Sequence, residues 1–432
     1  MRQYRIRGGN RIAGQLCVGG AKNAALPILA AVCLNESVNE IHNCPPIADT
    51  FASIEILKSI GCKIDIEGTT LKVDSSGVLS PDIPGEIVGK MRSSILFMGA
   101  MLGRCGKVNI AMPGGCKLGA RAIDLHISGL AAMGAVICIN GDKLRCEAKE
   151  LKGAKIRLHT ASVGATENLM LAAVKAKGET IIENAAREPE ITDLAKFLVG
   201  MGAKVTGAGT NSISVVGVDK LHTGKPHCTM PDRIVAGTYL TAAAITGGCI
   251  RLHNVCPADL VPVLSVLKEM GCHIHCGKSC ITLAAPKRLT AVPHLITEAH
   301  PGFPTDMQAQ IVAALAIAEG TSTVMETVFE SRHAHGIDLN RMGADIKISK
   351  DARTFVIKGK EFLHGETVAA QDLRGGAALI LAGLAAKGET VVQNAHYVER
   401  GYAGIEKDLK SLGADIELET TFPPTWPDEL LH

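Results

Sequence analysis

A short signature that recurs six times along the 432 residues constrains the fold more than any other feature of the sequence. Each copy consists of an apolar helix end, a glycine and an alternating strand, as in Leu57-Lys-Ser-Ile-Gly61-Cys-Lys-Ile. Glycine readily adopts the left-handed conformation that ends a helix and reverses the chain. The repeat glycines, 68 to 73 positions apart, are Gly61, Gly134, Gly202, Gly271, Gly343 and Gly413. This spacing predicts six copies of an α/β unit.

A second signature precedes most of these helices and is typical of a strand with turn residues at both ends. It spans residues 178–184, 248–254 and 388–394, each beginning with glycine and ending with asparagine. Apolar side chains at i, i+3, i+4 and i+7 then predict a helix with one buried face in residues 191–198. Residues 309–318 are apolar almost throughout, so a helix there would be buried on most sides.

Helices this apolar favour two globular lobes of three units each over an extended solenoid. We expect the boundary near Met230-Pro231-Asp232, between the third and fourth repeat glycines. A cleft between two such lobes is the default place for a ligand site.

Composition argues against several classes of partner. The net charge is +2 and aromatic residues make up 3% of the chain, so a nucleic-acid surface is not expected. The apolar run in residues 26–34 is too short to span a bilayer, and residues 1–7 contain no apolar signal segment, so we expect no membrane role. Fourteen cysteines are scattered singly, which indicates reduced thiols in the cytoplasm.

One cluster has the residue types of a metal site: Cys272, His273, His275, Cys276 and Cys280. If residues 272–276 form a strand, alternation places the cysteines on one face and the histidines on the other. The ligands would then diverge, so we expect no metal here and no other cofactor.

The glycine-rich stretch Pro113-Gly114-Gly115-Cys116-Lys117-Leu118-Gly119-Ala120-Arg121 predicts a mobile loop that carries chemistry. Two cations close to the thiol favour its ionised form and should lower its pKa. Cys116 is therefore expected to act as an acid, base or nucleophile, unless it is an incidental cysteine on a surface loop.

Charged residues also stand at several predicted helix starts and turns. Lys22 and Asn23 precede an apolar helix, where anions bind readily, and Arg92 repeats that arrangement. Residues 160–166 form a small-residue turn that could wrap a diphosphate. Asp306 lies just before a helix and could simply cap it. The further cations are Arg121, Arg332, Arg374 and Arg400. Together they indicate a small substrate with several negative charges.

The chain resembles the UDP-N-acetylglucosamine 1-carboxyvinyltransferases of the enolpyruvyl-transferase family, from near residue 1 to about Glu419. The motifs that carry the resemblance are residues 20–27, 113–116, 119–121, 162–166, 183–190 and 303–308. The resemblance implies a two-domain, inside-out α/β fold whose N-terminal strand returns to the second lobe. It thus implies an N-terminal lobe of residues 22–230, a C-terminal lobe of residues 1–21 and 231–432, and an active site between them.

The resemblance also implies a reaction. Phosphoenolpyruvate would give its enolpyruvyl group to the 3-hydroxyl of UDP-N-acetylglucosamine and release phosphate, in the first committed step of peptidoglycan precursor synthesis. The small-molecule substrates would need no cofactor. Cys116 matches a loop cysteine that acts as acid and can form an adduct, and Asp306 matches the base.

Further matches concern substrate binding. Lys22, Arg121 and Arg400 match cations around the phosphate, with Lys22 and Arg400 counted as catalytic, and Arg332 and Arg374 match those around the carboxylate. Asn23 belongs to the same pocket. The positions that would hold the nucleotide sugar are Arg92, Arg121, Ala122, Ile123, Asp124, Leu125, Ser162, Val163 and Val328. Thr160 and residues 331–335 depart from the family pattern, which bears on affinity and loop details.

Three alternatives remain open from the sequence. A 3-phosphoshikimate 1-carboxyvinyltransferase shares the repeats but not the Cys116 loop. A catalytically silent nucleotide-sugar binder would be expected to have lost Cys116, Asp306 or an arginine. A cysteine hydrolase would need a histidine tied to Cys116, and no motif supplies one.

Overall fold

The computed structural model describes residues 2–114 and 123–420, which form six small sheets around buried helices. The chain opens with strands β1 (Arg2–Arg7) and β2 (Ala13–Cys17) and then enters its first run of repeats. The strands of this run are β3 (Val38–His42), β4 (Lys63–Glu67), β5 (Thr70–Asp74), β6 (Lys107–Ala111), β7 (Val136–Asn140), β8 (Lys143–Glu147), β9 (Lys155–Arg157), β10 (Glu179–Glu183), β11 (Lys204–Thr206), β12 (Ser212–Val216) and β13 (His227–Cys228). Its helices are α1 (Lys22–Ala31), α2 (Ala48–Ser59), α3 (Gly85–Val88), α4 (Leu96–Cys105), α5 (Asp124–Ala132), α6 (Val163–Ala173) and α7 (Pro189–Gly200).

The second run repeats this plan. Its strands are β14 (Cys249–His253), β15 (His273–Cys276), β16 (Cys280–Ala284), β17 (His294–Ile296), β18 (Thr321–Met325), β19 (Asp345–Ile348), β20 (Thr354–Lys358), β21 (Thr367–Ala369), β22 (Glu389–Gln393) and β23 (Asp415–Thr420). Its helices are α8 (Arg233–Ile245), α9 (Val261–Glu269), α10 (Gln308–Leu315), α11 (Ala334–Arg341), α12 (Leu373–Ala385) and α13 (Ile405–Ser411). Short 3₁₀ helices are Val32–Leu34, Arg92–Ile95, Pro257–Leu260, Thr305–Met307 and Ala395–Arg400.

The sheets follow one topology. The strand orders are β13-β3-β5-β4, β6-β8-β7, β11-β12-β10-β9, β15-β16-β14-β2, β17-β18-β20-β19 and β21-β22-β1-β23. In five of them a short parallel strand from another part of the chain joins an antiparallel set, as β9 joins β10. The N-terminal strand β1 lies between β22 and β23 and pairs with both in the antiparallel sense.

The repeat glycines have the predicted conformation. Their φ values lie between +93° and +111°, which is the left-handed region that ends each helix. The asparagine that ends each strand signature also has positive φ, for example +53° at Asn184. Its side-chain amide donates to the carbonyl of Leu158 at 2.8 Å and so ties β10 to the segment that follows β9. Asn254 and Asn394 make equivalent bonds, so one residue type fixes the same corner in several units.

The interior consists of helices, and the sheets lie outside them. Helices α1, α4 and α6 pack together in one core, and α8, α10 and α12 pack together in another. The first core uses apolar side chains between residues 25 and 215. The second uses residues from 234 to 416 together with Tyr4, Ile6, Ile12 and Val18. On these two cores we propose the lobe boundaries given above, 22–230 and 1–21 with 231–432.

Two segments of the chain, residues 19–21 and 230–232, run side by side between the two cores. Ala21 N–H donates to the Met230 carbonyl at 2.7 Å, and Asp232 N–H donates to the Gly19 carbonyl at 2.9 Å. Between these bonds Gly20 pairs with Pro231, and a Cβ at Gly20 would lie 1.7 Å from the Asn43 carbonyl oxygen. Only glycine allows that approach. None of the helices in the described ranges is long and apolar enough to cross a membrane.

Candidate active site

The carboxylate of Asp49 joins two cations that the family resemblance assigns to a phosphate. Asp49 is the second residue of α2 and is buried. Its carboxylate accepts from Lys22 Nζ at 2.8 Å and from Arg400 Nε and Nη2 at 2.9 and 3.1 Å. Lys22 starts α1 of the first lobe, whereas Arg400 ends a 3₁₀ helix of the second. Two of the expected site residues, Lys22 and Arg400, are therefore brought together on one carboxylate although they belong to different cores.

The pKa values in this group follow from burial and charge. Burial is the largest influence on the pKa of Lys22 and lowers it, the charge of Asp49 opposes this, and Arg400 and Arg374 lower it further. Burial by itself raises the pKa of Asp49, but Lys22 and Arg400 together outweigh it, so that pKa lies below its ordinary value. The carboxylate of Asp49 is therefore ionised, and the pKa of Lys22 depends on the charges of Asp49, Arg400 and Arg374.

Asp306 lies between two arginines. One oxygen, Oδ1, accepts from Arg332 Nη1 at 3.0 Å, and the other, Oδ2, accepts from Arg374 Nη2 at 3.1 Å. The Asp306 side chain is 25% exposed, while each arginine side chain is 3% exposed. Burial raises the pKa of Asp306, but Arg374 and Arg332 outweigh it and hold the pKa well below its usual range. The helix cap considered from sequence is wrong, because Asp306 lies in a 3₁₀ helix and caps nothing with its side chain.

The buried guanidinium groups of Arg332 and Arg374 have N–H donors that Asp306 does not use. Within the described residues, Arg332 Nε and Arg374 Nε and Nη1 are buried without a hydrogen-bond partner. Burial tends to lower the pKa of Arg374, but Asp306 and then Tyr402 raise it above its ordinary value, so the group stays charged. A buried N–H donor of a cation that lacks an acceptor destabilises the folded protein, and a bound anion would supply that acceptor. These N–H groups therefore favour binding of a carboxylate or phosphate.

A buried glutamate organises the surroundings of Asp306. Glu326 Oε2 accepts from the Thr305 hydroxyl at 2.8 Å, and Thr305 Oγ1 accepts from Arg332 Nη1 at 2.9 Å. The other oxygen, Glu326 Oε1, accepts from the backbone N–H of Val328 at 2.8 Å. Val328 is therefore held close to the Asp306 group, with its side chain exposed.

Several of the residues expected to hold the nucleotide sugar lie on the helix starts of the first lobe, apart from Val328, which lies beside Asp306. Asp124 and Leu125 start α5 directly after Ile123, and Ser162 caps α6 by accepting from the Ala165 N–H at 3.3 Å. His126 connects these starts: a Cβ on Gly164 would lie 3.4 Å from its ring. Burial and then the charge of Arg92 lower the pKa of His126 to about 4, so Arg92 belongs to this group.

The structure corrects a second sequence expectation and leaves others outside the described residues. Residues 163–166 are the first turn of α6 rather than an irregular turn around a diphosphate. Asn23 is the second residue of α1 and is half-buried. Cys116, Arg121 and Ala122 lie outside the described residues. In the described ranges no three His, Cys, Asp or Glu side chains are grouped to hold a metal ion.

Sequence reasoning missed two acidic residues that pair with cations of the other core. Besides Asp49, Glu190 binds Arg233 Nε at 2.9 Å and Nη2 at 3.3 Å, from opposite lobes, and all these groups are buried. The signal was in the repeat, because Asp49 and Glu190 both stand twelve positions before their repeat glycines. Asp259 stands at the same register before Gly271, and an acidic residue repeated at one register in three units could have been recognised as a shared feature of the helix starts.

The lowered pKa values predict acid sensitivity of the folded state. A carboxylate with a depressed folded pKa contributes stability above its unfolded pKa of about 3.9, and the contribution is lost as pH falls through the folded value. We therefore expect the melting temperature to fall steeply below about pH 4, and less steeply in Asp306→Asn and Asp49→Asn. Melting curves between pH 3 and 7 check this, with the exposed Asp65→Asn as control. Equal slopes in all four proteins would contradict it.

Comparison with known proteins places this geometry in a family. The model of the EPSP synthase (3-phosphoshikimate 1-carboxyvinyltransferase) family matches residues 6–409. A protein of Caldanaerobacter subterraneus subsp. tengcongensis named UDP-N-acetylglucosamine 1-carboxyvinyltransferase 2 is 50% identical over 416 residues, which cover 96% of this chain and 99% of that protein. The UDP-N-acetylglucosamine 1-carboxyvinyltransferase of Myxococcus xanthus is 45% identical over 419 residues, which cover 96% of this chain and 98% of that protein.

Solved structures agree on the architecture. The crystal structure of the enolpyruvyl transferase NikO from Streptomyces tendae superposes with a TM-score of 0.88 at 25% identity, over 97% of this chain and 99% of that one. An EPSP synthase from Acinetobacter baumannii superposes with a TM-score of 0.75 at 20% identity, over 97% of this chain and 100% of that one, and so shares the fold. The inside-out α/β fold expected from the sequence is confirmed. This chain belongs to the enolpyruvyl-transferase family, and its sequence groups it with the UDP-N-acetylglucosamine 1-carboxyvinyltransferases.

Proposed function

We propose that this enzyme transfers the enolpyruvyl group of phosphoenolpyruvate to the 3-hydroxyl of UDP-N-acetylglucosamine and releases phosphate. The observation that carries the proposal is the arrangement of four cations on two carboxylates. Lys22 and Arg400 share Asp49, while Arg332 and Arg374 share Asp306. Relatives with this activity in their names, at 45% to 50% identity over nearly the whole chain, support the choice of acceptor.

The two cation pairs suit the two ends of phosphoenolpyruvate. Lys22 and Arg400 would bind the phosphate together with Arg121, in competition with the Asp49 carboxylate. The partner-free donors of Arg332 and Arg374 would bind the carboxylate. Asn23, next to Lys22, would complete the pocket. Fixing both ends of the substrate turns its reaction with a bound acceptor into an oriented, intramolecular step.

Asp306 would act as the base for the sugar hydroxyl. In the structure described here it is ionised, but two arginines make it a weak proton acceptor. Once the substrate carboxylate shares those arginines, their pull on Asp306 weakens and its pKa rises toward a more useful value. Substrate binding would thus prepare the base, and the alkoxide could attack C2 of phosphoenolpyruvate as the vinyl carbon is protonated.

Cys116 would supply that proton from the opposite face. Loss of a proton from the same carbon and departure of phosphate would then restore the double bond in the product. Closure of the loop that carries Cys116 and Arg121 would exclude water from the intermediate. The nucleotide sugar would be bound by Arg92, Arg121, Ala122, Ile123, Asp124, Leu125, Ser162, Val163 and Val328.

The role of Cys116 predicts sensitivity to fosfomycin, an epoxide that resembles phosphoenolpyruvate. A thiolate should open the epoxide and form a covalent thioether on Cys116. We expect intact-mass spectra in the presence of UDP-N-acetylglucosamine to show one adduct in the wild type and none in Cys116→Asp. An adduct that persists in this variant, or no adduct in the wild type, would contradict the assignment.

The product itself tests the proposed reaction. NMR of the mixture of both substrates with enzyme should show an enolpyruvyl ether on the sugar 3-hydroxyl and free phosphate. A modified hydroxyl elsewhere, or no ether at all, would overturn the proposal. With small-molecule substrates of this kind, the enzyme would act in the cytoplasm, in cell wall biogenesis, and would bear on cell shape and division.

A further inference from the structure

One carboxylate, that of Asp232, holds the first core helix of each lobe. Its Oδ1 accepts from the backbone N–H groups of Ile234 and Val235 at 2.8 and 2.9 Å, so Asp232 is the N-cap of α8. Its Oδ2 accepts from the backbone N–H of Lys22 at 3.1 Å, at the start of α1 in the other lobe. The residue is only 5% exposed.

Helix α1 has no cap of its own. The residue at its N-cap position is Ala21, whose side chain cannot accept a hydrogen bond. The first N–H groups of any helix lack partners within the helix and need an acceptor when buried. The second lobe supplies that acceptor, and the two backbone bonds of the crossover hold Asp232 in place beside α1.

The capped residue is the one whose side chain matters for the site. Lys22 is the first residue of α1, so its backbone position sets the starting point of the side chain that reaches Asp49 at 2.8 Å. A shift of the helix start would move the ammonium group relative to Arg400 and Arg374, and its pKa depends on both of those charges.

We propose that Asp232 is a positioning residue that acts across the lobe boundary to place Lys22 for the phosphate of the substrate. This inference rests on the proposed function, which assigns Lys22 to that phosphate. Asp232 does not touch the reacting atoms in this account. Because Asp232 binds the first residues of both α1 and α8, the position of Lys22 is set by the lobe that carries Arg374 and Arg400.

Two substitutions separate this role from ordinary helix capping. Asp232→Ser keeps one oxygen to cap α8, because serine is as good an N-cap as aspartate, and leaves no second oxygen for Lys22. Asp232→Asn also caps α8 but presents an amide N–H to the N–H of Lys22. We expect either change to raise the KM for phosphoenolpyruvate about tenfold, with the KM for the nucleotide sugar unchanged.

Binding of inorganic phosphate, measured by calorimetry, provides the decisive comparison. Asp232→Ser should weaken phosphate binding about tenfold when Lys22 is present, but should not weaken it further in a protein that already carries Lys22→Ala. The matched control is Asp193→Asn, which replaces the carboxylate that accepts from the Met230 N–H at 3.1 Å in the same crossover and leaves the contacts of Lys22 intact. Phosphate affinity should be unchanged in the control.

Each outcome decides between roles. Additive losses in the double variant, or an equal loss in Asp193→Asn, would overturn the positioning role and leave a general effect on the crossover. Phosphate binding that Lys22→Ala leaves unchanged would instead overturn the proposed role of Lys22, and this inference with it. If Asp232→Ser melts too early to be measured, Asp232→Asn provides the same comparison.

Discussion

Asp306→Asn is expected to lower kcat by about 10²- to 10⁴-fold, because it removes the proposed base and keeps the shape of the side chain. Phosphoenolpyruvate should still bind, since Arg332 and Arg374 remain and lose their competing carboxylate. The loss should therefore appear in kcat rather than in KM. Steady-state rates of phosphate release with both substrates measure it.

A matched control guards against indirect effects of the Asp306 substitution. Asp259→Asn changes an aspartate in another short 3₁₀ helix of the same lobe, where it bonds to Cys256 instead of to arginines. We expect this variant to keep a rate close to that of the wild type. If Asp306→Asn retained kcat within about fivefold of the wild type, a different group would have to be the base.

Asp49→Ala is expected to have the largest effect on stability. It leaves the cations of Lys22 and Arg400 nearly buried without their common carboxylate, and breaking such a pair costs about 3–5 kcal/mol. Phosphate should restore part of this loss, because an anion between the two cations takes the place of the carboxylate. Melting temperatures with and without phosphate measure both effects.

The competition between Asp49 and phosphate makes the prediction more specific. The gain in melting temperature on adding phosphate should be larger in Asp49→Ala than in the wild type. Glu419→Ala, which removes a partly exposed partner of Arg5, serves as control and should change neither quantity appreciably. No stabilisation of Asp49→Ala by phosphate would contradict the placement of the phosphate between Lys22 and Arg400.

Local signals in the sequence were enough to predict the repeated elements. The repeat glycines dictate helix ends because their left-handed conformation is disfavoured for other residues, and all six adopt that conformation. The repeat predicted a strand after Gly271, and it is present as β15, with His273 and His275 exposed. The inside-out arrangement required the resemblance, since periodicity alone does not say which elements lie at the centre.

The contacts of the site were harder to predict than its residues. Asp306 was found as a charged residue at a helix start, but its pairing with Arg332 and Arg374 joins residues 26 and 68 positions away. Asp49 was missed because its partner Arg400 lies 351 positions along the chain. Such pairs depend on how the two lobes face each other, and no local sequence pattern shows which residues far apart in the chain will meet.

The acceptor is the central claim, because the matching family model describes a shikimate enzyme whereas the named relatives act on a nucleotide sugar. Phosphate release from phosphoenolpyruvate should be measured with UDP-N-acetylglucosamine and with shikimate 3-phosphate in separate reactions. We predict that phosphate is released when UDP-N-acetylglucosamine is the acceptor and is not released when shikimate 3-phosphate is the acceptor. Release with shikimate 3-phosphate alone, or with neither acceptor from folded protein that still binds the nucleotide sugar, would contradict this account.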